Sequence, residues 1–169
     1  CSGDAGIYGM ASLMLEIGSA YPHTELSVIA GVTAASSGAA VLGAPLGHDF
    51  CSVSLSDLLT PWETIEKRLR AAAEGDFVIV LYNPSSHKRK DYLKKACRIL
   101  LRSVEGDRVC GYVENIGRDG TKAEICTLEE LQDREVSMFT TVFIGNSGSE
   151  IIDGRFVTKR GYQCEKFPH

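Results

Sequence analysis

Hydrophobic residues along this chain change their period repeatedly, and each change marks an expected element. Ile7, Met10, Ala11, Met14 and Ile17 recur at helical spacing until Gly18 and Tyr21-Pro22 interrupt them. The run LSVIA, residues 26–30, is compact and apolar in the manner of a buried strand. GVTAASSGAAVLG behind it supplies small residues suited to a closely packed helix. Residues 43–57 then mix Gly, Pro, His and Asp without helical period before running briefly extended. Thr60-Pro61-Trp62-Glu63 reads as a helix start, with Thr60 as N-cap, Pro61 at the first helical position and Glu63 closing a capping box. That helix is predicted to reach about Ala73 and to stop at Gly75.

FVIVLY, residues 77–82, is the strongest strand signal, and the turn NPSS leads from it into the basic helix HKRKDYLKKACRILLR. RVCGYV (108–113), KAEICT (122–127) and TTVFIG (140–145) predict further strands, and residues 147–169 an irregular or hairpin-like tail. Strand, polar turn and helix in succession build open α/β sheets, whereas the closely spaced strands after Arg108 favour antiparallel pairing. The expected fold is therefore α/β with a mixed sheet. A boundary is placed at the period-free segment: residues 1–50 as the C-terminal part of a first α/β domain, residues 51–169 as a second.

Composition narrows the partners. A chain of 169 residues, 44% hydrophobic, buries enough for one domain or two small ones. Its net charge of −4 carries no footprint for nucleic acid, and no apolar run approaches the roughly 18 to 20 residues of a membrane span. Six cysteines are scattered without a C-x-x-C pair or metal-ligand spacing, so they read as reduced core residues of a cytoplasmic protein and no metal is expected. The chain opens at Cys1 in a loop with no strand before it, which predicts an excerpt of a longer protein.

In open α/β sheets, ligands collect at the carboxyl ends of strands, where loops and helix N-termini present backbone N–H groups. SGDAGIYG (2–9), GVTAASSG (31–38) and LYNPSSHKR (81–89) are such places, although each alone serves equally well as a turn or cap. Taken in order with VENIGRDG (113–120) and IGNSGSEIIDGR (144–155), they resemble the tetrapyrrole methylase family over nearly the whole chain.

That resemblance implies two α/β domains enclosing S-adenosyl-L-methionine, with S-adenosyl-L-homocysteine as product and homodimers as the usual assembly. It points to the branch that methylates C17 of precorrin-3B or cobalt-factor III with ring contraction in cobalamin biosynthesis. Residues 2–9 would then follow the fourth strand of the first domain, whose earlier strands and glycine-rich loop are absent. Donor binding falls by resemblance on Gly3, Asp4, Ile7, Thr33, Ala34, Tyr82, Asn83 and Gly117. Ala5 departs from the family, many members of which have Pro there.

His48 and Asp49 in GHDF are the candidates for acid or base chemistry during ring contraction. Ser85, Arg89 and Arg118 are the candidates for the acidic acceptor, with Lys88, Lys159 and Arg160 as further cations. Trp62 is expected to pack rather than bind. Two alternatives stay open: methylation at another acceptor of the same family, and a non-catalytic binding or dimerisation fragment of a fused enzyme.

Overall fold

The computed structural model of the protein describes residues 3–86 and 89–162. Its elements follow the alternation expected from the pattern. They are α1 (Ala11–Gly18), α2 (Ala34–Leu42), β1 (Gly43–Ala44), β2 (Phe50–Ser54), α3 (Trp62–Glu74), β3 (Val78–Tyr82) and α4 (Tyr92–Leu100). Then come β4 (Val109–Glu114), β5 (Lys122–Thr127), α5 (Leu128–Leu131), β6 (Thr140–Ile144), β7 (Ser149–Ile152) and β8 (Arg155–Thr158).

The main sheet has five strands in the order β2-β3-β6-β4-β5. β2 and β3 are parallel, and every other neighbouring pair is antiparallel, which gives the expected mixed sheet. β3 reads as one continuous apolar run because it is covered on both faces: Val78, Ile79, Val80 and Leu81 are all buried. Ile79 and Leu81 face α3, α4 and α5 through Ile65, Leu69, Ala96, Leu100 and Leu128. Val80 points the other way, to α2 and the β7–β8 hairpin through Ala35, Ala39 and Phe156, beside Phe143 of β6. The period of two along one strand thus serves two cores.

Small residues let α2 lie close to the sheet. A Cβ on Gly38 would stand 2.9 Å from Phe143 Cζ and 3.0 Å from Ile116 Cδ1, closer than packed carbons tolerate. Ala35, Ala39 and Leu42 share a core with Val80 and Val113, and β1 pairs in parallel with β8, so residues 34–44 pack on elements that follow much later in the chain.

Other expectations change as well. LSVIA forms no strand: Ile29 is 83% exposed, and among the described residues no backbone partner pairs with residues 26–30. A strand needs a neighbour, however β-prone its side chains are. α1 forms, but it begins later than Ile7 and buries none of its residues. At α3 the N-cap is Pro61, with an extended ψ of 142° and no side-chain cap, so the Thr60–Glu63 box is out of register by one residue. A capping box closes instead at α5, where Thr127 and Glu130 bond reciprocally. Gly75 does end α3, while Asp76 takes the left-handed turn at φ 52°. Among the described residues no helix is long and apolar enough to cross a membrane.

Leu69 is fully buried between the sheet and α4, whereas Leu59 is 98% exposed. Urea titration of Leu69→Ala is expected to show a loss of about 2–5 kcal/mol. Leu59→Ala is expected to stay within about 0.5 kcal/mol of the parent.

Candidate functional site

The carboxyl ends of β3 and β4 lie beside the amino end of β6, since Leu81 pairs with Val142 and Glu114 with Thr140. Left-handed residues stop both strands there: Asn83 after β3 at φ 54°, Asn115 and Gly117 after β4 at φ 54° and 70°. Asn83 Nδ2 donates to Ser54 Oγ at 2.9 Å, which joins the ends of β2 and β3. Thr121 Oγ1 lies within 2.9 and 2.8 Å of the Asn115 and Arg118 carbonyls and closes the 115–121 loop.

The amino end of α2 reaches this rim through Tyr82. Thr33 occupies the N-cap position without a side-chain cap of its own. The Tyr82 hydroxyl takes over, accepting the Ala35 N–H at 2.9 Å and sharing a 2.6 Å hydrogen bond with Thr33 Oγ1. One phenol thereby ties β3 to a helix that starts far earlier in the chain.

Residues 3–10 are held against the same rim. Asp4 Oδ1 accepts the N–H groups of Gly6 at 2.8 Å and Ile7 at 3.1 Å, and Oδ2 accepts that of Gly31 at 2.8 Å. Gly31 must be glycine for this approach, because a Cβ there would lie 2.2 Å from the Gly3 carbonyl oxygen. The Tyr8 ring packs 4.8 Å from that of Tyr82, and its hydroxyl donates to Ser52 at 3.3 Å. Hydrogen bonds from Gly31, then Gly6 and Ile7, hold the Asp4 carboxyl below the usual carboxylate range.

Together these segments enclose a cavity of about 380 Å³, within the size range of small-ligand sites. Gly3, Asp4, Ile7, Thr33, Ala34, Tyr82, Asn83 and Gly117 all line it, as does Arg118, whose guanidinium lies 5.0 Å from the Phe139 ring centroid. The sequence reading missed Ser37, Asn115, Ile116 and residues 138–141, which also line it. Ser37 was recoverable as the residue one helical turn after Thr33, and Asn115 and Ile116 lie inside VENIG. Residues 138–141 carry no local signal, because only the antiparallel placement of β6 brings its amino end to this edge.

A second hollow, about 540 Å³, adjoins the first and shares Met138 and Phe139 with it. Ser85 lines it with Ser86, Lys90 and Ser137. Arg89 lines neither hollow: its Nε stands 2.7 Å from Asp57 Oδ1, and the other oxygen of Asp57 accepts the Tyr92 hydroxyl. Trp62 packs on Tyr92 at 4.8 Å, as expected. Lys159 pairs with Glu150 at 2.6 Å, and Lys88 lies outside the described residues.

His48 and Asp49 stand at the opposite edge of the sheet. Phe50 pairs with Val78 at the amino end of the parallel β2–β3 pair, and the Asp49 carbonyl accepts the Val78 N–H there. His48 Nδ1 accepts the N–H of Asp49 at 2.8 Å, and neither residue lines either hollow. Their distance in sequence from the carboxyl rim is short, but the strand between them runs the length of the sheet.

The described cysteines Cys51, Cys97, Cys110 and Cys126 are free thiols in or beside the core, while Cys1 and Cys164 lie outside the described residues. Burial pushes the Cys97 thiol up to about 12, so it is inert rather than nucleophilic.

The sequence profile of Tetrapyrrole (Corrin/Porphyrin) Methylases matches residues 1–132. The chain is 46% identical over 162 residues to a "Probable cobalt-factor III C(17)-methyltransferase" of Salmonella typhimurium, covering 95% of this chain and 67% of that protein. Among solved structures, that of the methyltransferase CobJ superposes with a TM-score of 0.86 at 36% identity, covering 94% of this chain and 68% of that one. A uroporphyrin-III C-methyltransferase of Thermus thermophilus, complexed with S-adenosyl homocysteine, shares the fold at a TM-score of 0.65 and 17% identity, over 85% of this chain and 62% of that one. The chain spans between 30% and 68% of the length of the curated relatives it matches, and 31% of a "Cobalt-factor III methyltransferase" of Priestia megaterium to which it is 45% identical.

Two measurements test the construction of the rim. Tyr82→Phe keeps the ring but leaves the Ala35 N–H uncapped, and a loss of about 1 kcal/mol in urea unfolding is expected. A carboxylate with a lowered native pKa contributes stability that is present above its unfolded pKa and lost as pH falls through the native value. The Gly31 amide resonance is therefore expected to hold steady from about pH 8 to pH 5 and to move only below about pH 4. In Asp4→Asn that acid transition is absent.

Proposed function

The chain belongs to the tetrapyrrole methylase family, and from that premise we propose that it carries the donor site of an S-adenosyl-L-methionine-dependent C-methyltransferase. The acceptor in this reading is C17 of a precorrin-3B or cobalt-factor III macrocycle. The single observation that carries the reading is the convergence of residues 3–7, 31–34, 82–83 and 115–118 on one cavity at the carboxyl rim. The names of two relatives, a probable cobalt-factor III C(17)-methyltransferase and a precorrin-3B C(17)-methyltransferase, agree with it.

The residues present suit such a donor. Ile7, Val32, Ile116 and Met138 form apolar wall, and Thr33, Ser37, Asn83 and Asn115 place hydrogen-bonding groups between them. Asp4 is committed through both oxygens to backbone N–H groups, so it shapes the loop while its negative charge remains on the cavity wall. The donor supplies an electrophilic methyl on a sulfonium centre, which a ring carbon displaces in line. The chain's own task is then to align donor and acceptor and to keep water out, and no covalent nucleophile is needed. His48 and Asp49 have no part in this account, since they sit at the far edge of the sheet.

Isothermal titration with S-adenosyl-L-homocysteine tests the reading. Saturable one-to-one binding is expected, weakened about tenfold or more by Asp4→Ala through loss of the loop's anchoring hydrogen bonds. His48→Ala is expected to change it less than about twofold, about 0.4 kcal/mol. No binding, or the reverse ranking of the two variants, rejects the assignment.

A further inference from the structure

Met138 and Phe139 are the residues common to both hollows, so they form the partition between them. They are 54% and 50% exposed, although the strand that follows, β6, is buried along its whole length. Exposed apolar side chains scattered singly need no explanation, but an adjacent pair fixed between two cavities does. Their backbone is firmly held. Ser137 Oγ donates to Glu114 Oε1 at 2.5 Å and accepts the Phe139 N–H at 3.2 Å, the Ser137 N–H donates to Thr140 Oγ1 at 3.2 Å, and the Phe139 carbonyl accepts the Asn115 N–H at 3.2 Å.

Charge is arranged on both sides of this pair. Arg118 lies over Phe139 on the side of the first cavity, and Lys90 lines the second hollow. Neither makes an ion pair among the described residues, in contrast to Arg134, held at 2.7 Å by Glu124, and Arg89, held by Asp57. Glu135 also lines the second hollow and forms no ion pair with Lys90. The neighbourhood thus has two unpaired cations flanking an apolar step.

We propose that Met138 and Phe139 are the platform on which a flat acceptor lies, and that Arg118 and Lys90 take carboxylate arms of that acceptor. This rests on the methyltransferase reading, because it uses the adjacency that methyl transfer demands: a donor in one hollow and an acceptor ring carbon at its edge. An aromatic ring and a polarizable thioether give favourable faces to a planar macrocycle. A guanidinium and an ammonium on opposite sides fix its rotation through charge-assisted hydrogen bonds to separated carboxylates. Rotation decides which ring carbon faces the donor, so these two cations select the position methylated.

Fluorescence titration with uroporphyrin III, a planar octacarboxylate, and with its neutral octamethyl ester tests the proposal. Lys90→Gln and Arg118→Gln are each expected to weaken uroporphyrin binding about tenfold and to flatten its salt dependence, with the ester unaffected. Phe139→Ser is expected to weaken both porphyrins. Lys90→Gln is expected to leave the S-adenosyl-L-homocysteine affinity within about twofold. Unchanged uroporphyrin affinity in the Lys90→Gln/Arg118→Gln double variant overturns the platform, as does a parent protein that binds S-adenosyl-L-homocysteine but not uroporphyrin. If uroporphyrin binds with the stated dependence and S-adenosyl-L-homocysteine does not bind, the platform stands and the donor assignment falls.

Discussion

Both oxygens of Asp4 accept backbone N–H groups, from Gly6 and Ile7 beside it and from Gly31, 27 residues along the chain. This places residues 3–7 beside Gly31, and so beside the start of α2, although the helix between them buries none of its own residues. The other anchor of this segment is Tyr8, whose ring packs on Tyr82 and whose hydroxyl donates to Ser52. An exposed carboxylate with three backbone donors is a strong local organiser, since charge-assisted bonds are shorter and stronger than neutral ones.

The sheet supplies the other half of the site. β2, β3 and β4 all end at one edge, and the left-handed residues beyond β3 and β4 turn the chain out so that side chains and peptide groups face the cavity. Tyr82 then serves as both wall and cap, which couples the conformation of the site to the stability of α2. The methyl transfer proposed for this rim asks for alignment and dryness rather than for a titrating residue, which a wall of many weak contacts suits. The absence of His48 and Asp49 from it is consistent with that chemistry.

Arg89 shows how a cation can be diverted from a ligand role by one carboxylate. Asp57 binds it and Tyr92 together, which anchors the chain between the two hollows and α4. Lys90, next in sequence, is left facing the second hollow. Adjacent basic residues in a solvated run therefore differ in their surroundings, and the presence of a carboxylate partner rather than residue type distinguishes them.

Elements with a strong period were legible without coordinates: β3 from FVIVLY, β5 from KAEICT, the small-residue helix α2 and the mixed sheet. So were the loops of the cavity: each alone reads equally well as a turn or cap, but their ordered set resembles one family. The unpaired state of LSVIA, the placement of His48 and the contribution of Met138 and Phe139 were not legible. A strand exists only with a neighbour, and the edge a residue occupies follows only from strand direction. These depend on pairings between residues far apart in sequence, which local side-chain pattern does not encode, and only the assembled sheet decides them.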